Sequence, residues 1–78
     1  MKALECYNIN IAWDDEACVW IAASEDMPGL ILEHGSFDAL VERVKIAVPE
    51  LLEISGKSCE NISLNFSISR QERLTMHG

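Results

Sequence analysis

Tyr7, Ile9, Ile11 and Trp13 alternate with Cys6, Asn8, Asn10 and Ala12, a period of two that predicts a strand with one buried face and one wetter face. Asp14, Asp15, Glu16 and Ala17 interrupt the pattern, and Cys18 to Ala23 resumes it with the β-favouring residues Val19, Trp20 and Ile21. The two runs read as a hairpin. Its register depends on the loop, because a slip of one residue exchanges the faces of a strand. A loop of four residues places Trp20 inward, whereas a loop of five buries Val19 and Ile21 and leaves Trp20 outside, where a large aromatic is a common anchor for a partner.

Met27-Pro28-Gly29 reads as a turn, since Pro fixes φ at a corner and Gly accepts the positive φ that can follow. Leu30 to Glu33 predicts a short third strand, ended by Gly35-Ser36. Ser36 is suited to cap a helix by accepting from a free backbone N–H, with Asp38 favourable at the positive helix end. Phe37, Leu40, Val41, Val44, Val48, Leu51 and Leu52 then recur at helical spacing and form one apolar stripe. Asp38, Glu42, Lys45, Glu50 and Glu53 lie mainly outside it. Pro49 removes the bond to the Lys45 carbonyl and predicts a bend, with the helix continuing through Leu52 and ending at Gly56.

Ile62, Leu64, Phe66 and Ile68 alternate with Ser63, Asn65, Ser67 and Ser69, the clearest strand pattern in the chain. A right-handed crossover through the helix sets this strand parallel to the first. The expectation is an α+β fold, β-β-β-α-β, with a four-stranded sheet of order 3-2-1-4 packed on one amphipathic helix. Residues 1–78 read as one domain with its core over about 4–69 and a polar tail over 70–78, without repeats, low-complexity runs or linkers.

Composition narrows the function. Thirteen acidic residues against six basic ones give a formal charge of -7, a field that repels phosphate backbones and attracts basic surfaces. The six cations, Lys2, Arg43, Lys45, Lys57, Arg70 and Arg73, are scattered, whereas nucleic-acid binding needs them clustered. No direct nucleic-acid contact is expected. Cys6, Cys18 and Cys59 form no CxxC pair, so neither a disulfide framework nor a zinc site is suggested, and each thiol reads as a small hydrophobe. The start lacks an export signal, no apolar run is long enough for a membrane span, and the cytoplasm is the expected compartment. At 78 residues a core is marginal, so a homodimer or higher oligomer is expected to add stability.

Catalysis finds little in the pattern. The strands offer Asn8, Asn10, Ser63, Asn65 and Ser67 where a metal-dependent nuclease needs converging carboxylates, which leaves Glu42 without companions. His34 has no Ser or Cys placed to use it and reads as a polar turn residue, and His77 stands in the tail. No enzyme activity, metal or other cofactor is expected. Asp14, Asp15 and Glu16 lack the spaced ligands of a calcium loop and read as a solvated hairpin tip. Their functional reading is an acidic edge, shared with Glu25, Asp26 and Glu33, that meets a basic protein. Trp20 joins them as an anchor. Ile46 lies almost opposite the apolar stripe, among Glu42, Glu50 and Glu53, as a contact residue for a second copy or another partner.

The stretch WDDEACVWIAASEDMPGL followed by FDALVERVKIAVPELLE resembles the HicB-like antitoxin fold, and most closely its short single-domain relatives of unknown function. The resemblance spans about residues 7 to 56, with Pro28-Gly29 before a short strand and then the helix as its firmest marks. It implies a degenerate ribonuclease H-like domain that binds and blocks a small basic ribonuclease toxin of the HicA type. Many members add a C-terminal DNA-binding module. After Leu74 only four residues remain, and no such module is expected. The alternative is a self-associating structural or regulatory domain without a toxin partner.

Overall fold

The structure is a computed structural model and describes residues 4–76. Five elements follow in the expected order: β1 (Glu5–Asp14), β2 (Val19–Ala23), β3 (Ile31–His34), α1 (Phe37–Ile54) and β4 (Ile62–Ser69). They form one mixed sheet of order β3-β2-β1-β4, antiparallel except for the parallel pairing of β1 with β4. The α+β layout and the 3-2-1-4 order are those the alternation and the crossover rule predict.

Asp14 pairs with Val19 and Trp13 with Trp20, so the hairpin loop holds Asp15, Glu16, Ala17 and Cys18. This is the four-residue form, and it turns Trp20 toward the helix. Local chemistry fixes the loop length. The Asp14 carboxylate accepts from the Glu16 and Ala17 backbone N–H groups at 3.1 and 3.2 Å, and Cys18 adopts φ 55°, a left-handed conformation that reverses the chain. Because Cys18 is spent on that reversal, β2 begins one residue later than its apolar run.

The third strand is likewise displaced by one. Leu30 is buried, and its N–H closes the Met27 turn by donating to the Met27 carbonyl at 2.9 Å. Pairing therefore starts at Ile31 and extends to His34, which stands opposite Trp20.

Ser36 caps α1 by accepting from the Ala39 N–H at 3.3 Å. The helix passes through Pro49 without stopping, and Gly56, at φ 72°, donates to the Glu53 carbonyl after its last turn. Leu40, Val44, Val48 and Leu52 are buried, with Phe37, Val41 and Leu51 half-buried beside them. They meet Tyr7, Ile9, Ile11 and Ala22 from the inner face of the sheet, together with Met27 and Leu30. Each fully buried Leu, Ile or Val among them is worth roughly 1.5–3 kcal/mol on burial. Ile46 stands 64% exposed on the far side of the helix, as its spacing predicts.

Candidate partner-binding surface

The alternation of β1 and β2 brings Trp13 and Trp20 side by side on the inner face, where the helix start only partly covers them. Their ring centroids lie 5.1 Å apart at 62°, and Trp20 meets Phe37 at 5.3 Å and 73°. These edge-to-face contacts set the positive ring edge of one indole against the negative face of the next. Arg70 follows β4 in the same alternation and falls over this pair. Its guanidinium carbon is 4.4 Å from the Trp13 centroid and 5.6 Å from that of Trp20, a stacking that favours the cation over the ring.

Charged groups hold the cluster at both ends. Trp13 Nε1–H donates to Asp15 Oδ1 at 3.3 Å, and Arg70 Nε–H donates to Glu72 Oε1 at 2.8 Å. The outcome is a row Asp15, Trp13, Arg70 and Glu72 along one end of the sheet, with Trp20 and Phe37 behind it and Glu16 at the exposed loop. The sequence pattern does not single out Trp13 or Arg70 as contact residues. Trp13 reads there as one more core position, and Arg70 as part of a polar tail; only the parallel register of β4 with β1 brings them together.

The other predicted contact residues do not form one edge. Asp14, Asp15 and Glu16 share the hairpin end with Trp20, whereas Glu25 and Asp26 follow β2 at the opposite end of that strand. Asp26 plays a structural part, because its Oδ2 accepts from the Asn8 N–H at 2.8 Å, while Ser24 Oγ donates to the Asn8 carbonyl at 2.6 Å. Together they replace the ladder where β2 leaves β1, since a backbone polar group without a partner is costly. Glu33 is on the outer sheet face opposite Ile21, and Ile46 is on the helix. The expected continuous acidic edge is thus divided among three surfaces, with Ile46 on a fourth, according to which strand end or face each residue occupies.

His34 was expected in a turn but is the last residue of β3, and its Nδ1 accepts from the Ser36 N–H at 2.8 Å, which ties the imidazole to the start of the helix. His77 lies outside the described residues. Cys6 and Cys18 are exposed and Cys59 is half-buried, all as free thiols. Cys18 is exposed because it occupies the loop, Cys6 because it faces outward from β1.

No cluster of three or more metal-ligating side chains occurs among the described residues. Tyr7 O–H donates to Glu5 Oε2 at 2.9 Å. That bond, then burial and the charges of Glu5 and Asp26, push the phenol above its ordinary value of 10.0. Among the described residues, no helix is long and apolar enough to cross a membrane.

Fold and surface together define a small two-layer α+β domain with a half-buried aromatic cluster under an exposed arginine. Residues 6–77 match the family model described as domain of unknown function (DUF1902), and the chain belongs to that family. It is similar to the hypothetical protein TTHA1013 of the extreme thermophile Thermus thermophilus, at 32% identity and a TM-score of 0.69 to its crystal structure. The likeness covers 92% of this chain and 100% of that one. No curated protein matches the chain.

Proposed function

We propose that this chain is a protein-binding module of the HicB-like antitoxin type, whose partner is a small basic protein such as a HicA-like ribonuclease toxin. The observation that carries the reading is the Trp13, Trp20 and Arg70 cluster beside the acidic loop of Asp14, Asp15 and Glu16. Tryptophan and arginine are the residue types that dominate binding energy when a partner covers them. The acidic loop accelerates encounter with a basic surface and fixes its orientation.

The formal charge of -7 supports the same class of partner. So does the order of hairpin, Pro-Gly turn, short strand, helix and strand, which the HicB-like resemblance shares. Three free thiols suit a reducing compartment such as the cytoplasm. The reading assigns the chain neither catalysis nor a cofactor.

Co-expression with a small basic protein encoded in the neighbouring gene is the test. The two are expected to co-purify, and the neighbour's toxicity to fall. Reversing the loop charges with Asp15→Lys and Glu16→Lys is expected to slow association about tenfold at low salt and far less at high salt. If the pair never co-purifies and the neighbour is equally harmful with and without this chain, the antitoxin reading is wrong.

A further inference from the structure

The sheet ends in β4, which pairs with β1 along all eight of its residues and has no strand on its other side among the described residues. An end strand presents a row of backbone N–H and C=O groups to any chain that can pair with it. Folded proteins usually guard such a row with charge, proline, a bulge or shortness. The sequence of β4, ISLNFSIS, holds no charge, proline or glycine, and eight residues are more than the usual strand has.

Its side chains are equally unguarded. On the inner face Leu64 and Phe66 remain half-buried, and Ile68 is 57% exposed. Beyond the strand, residues 71–76 are all exposed and carry Leu74 and Met76 at 89% and 93%. The radius of gyration is 15.4 Å and the long dimension 62 Å, against a radius of about 11.5 Å for a compact chain of this length.

We infer that β4 pairs antiparallel with β4 of a second copy of this chain, forming one continuous eight-stranded sheet. Charge favours this edge over the rest of the surface as the place where two copies meet. Each molecule carries a formal charge of -7 and repels its copy over most of its surface, while β4 is a neutral strip along which two copies approach without opposing like charges. A strand paired antiparallel with itself is also self-complementary about a two-fold axis, as a closed dimer requires.

Geometry restricts the register. Inner residues of β4 have even numbers and outer ones odd numbers, so the numbers of facing residues must sum to an even value if each face is to continue across the junction. Of the registers this leaves, those that pair nearly the whole strand put the two-fold axis at Asn65 or Phe66, normal to the sheet, with both helices on the same side. Either position joins the Leu64, Phe66 and Ile68 rows of the two copies. Each tail then runs past the start of the partner's β4, the end of the sheet where Leu4 is 56% exposed, and Leu74 gains an apolar surface to cover.

This inference does not depend on the antitoxin reading, because the Trp13 and Arg70 cluster is on β1 and at the end of β4, away from the proposed axis. The experiment is sedimentation equilibrium of the full chain from micromolar to hundreds of micromolar. A mass twice the 8.7 kDa of one chain is expected. Ile68→Lys should halve that mass, and Ile31→Lys on the other edge should leave it intact. Hydrogen exchange on the unmodified protein keeps the test independent of whether a variant folds: consecutive β4 amides should all be protected in the dimer. A monomer throughout the range, a dimer that survives a folded Ile68→Lys, dissociation by a folded Ile31→Lys, or alternate β4 amides exchanging at loop rates would each overturn the inference.

Discussion

At one end of the sheet, β3 is four residues long, carries Glu33 and His34, and leads directly into the Ser36 cap of the helix. At the other end, β4 is twice as long, neutral, and followed by an exposed segment. The same backbone chemistry is present at both edges, yet only the first is protected by shortness and charge. The helix explains part of the difference. Leu40 and Val44 are fully buried on the β2 and β3 side, while the inner row of β4 stays half-covered. The single helix covers the β2 and β3 flank of this sheet and leaves the β4 flank half-covered.

Truncation in the core, where the two flanks differ most in burial, has the largest effect. Leu40→Ala is expected to cost about 2–5 kcal/mol, read from the midpoint of urea denaturation. Leu64→Ala should cost less than half as much if β4 is a true edge. A loss as large as that of Leu40→Ala, diminishing as the protein is diluted, would instead sharpen the case for a paired β4.

The β3 flank can be weakened without touching β4. Ser36→Ala removes the acceptor for the Ala39 N–H and is expected to cost about 1 kcal/mol in the same measurement. It should leave the mass in solution unchanged, whereas a change in mass would show that the two flanks are not independent.

Tyr7 gives the smallest effect, at the base of β1 near the start of β4. Its pKa is raised, first by the bond to Glu5 and then by burial and nearby carboxylates. The folded state therefore holds the phenol proton more tightly than the unfolded chain. The stabilisation is full below the unfolded value near 10.0 and is lost as pH rises through the higher folded value. Phenolate absorbance should appear above pH 10, and Tyr7→Phe should abolish the tyrosinate part of the alkaline loss of stability. Ordinary titration of Tyr7 in the folded protein would contradict this.

Much of the fold was legible because alternation and helical spacing are local. The inner residues of β1 and β4, the stripe from Phe37 to Leu52 and the Ser36 cap follow from side-chain period and capping chemistry alone. The starts of β2 and β3 each differ from the pattern by one residue. Cys18 and Leu30 have strand-like side chains, but the backbone of one is committed to a left-handed turn and that of the other to closing the Met27 turn.

The candidate surface was less legible. Asp14, Asp15, Glu16 and Trp20 do stand together, since a hairpin makes near neighbours of them. Glu25, Asp26, Glu33 and Ile46 do not, because their positions depend on which strand end or face each occupies. Asp26 also proved to be a substitute for a ladder bond, a role that has no signature in composition.

The kinds of element and the buried stripe of the helix were set by residues within a few positions of one another, and the order of the strands followed from them through the right-handed crossover rule. Tertiary structure decided that Arg70 lies over Trp13 and that Asp26 serves Asn8 across the sheet. Those facts join residues far apart in the chain, and their partners are chosen by strand register and chain crossing, to which no short stretch of sequence is committed.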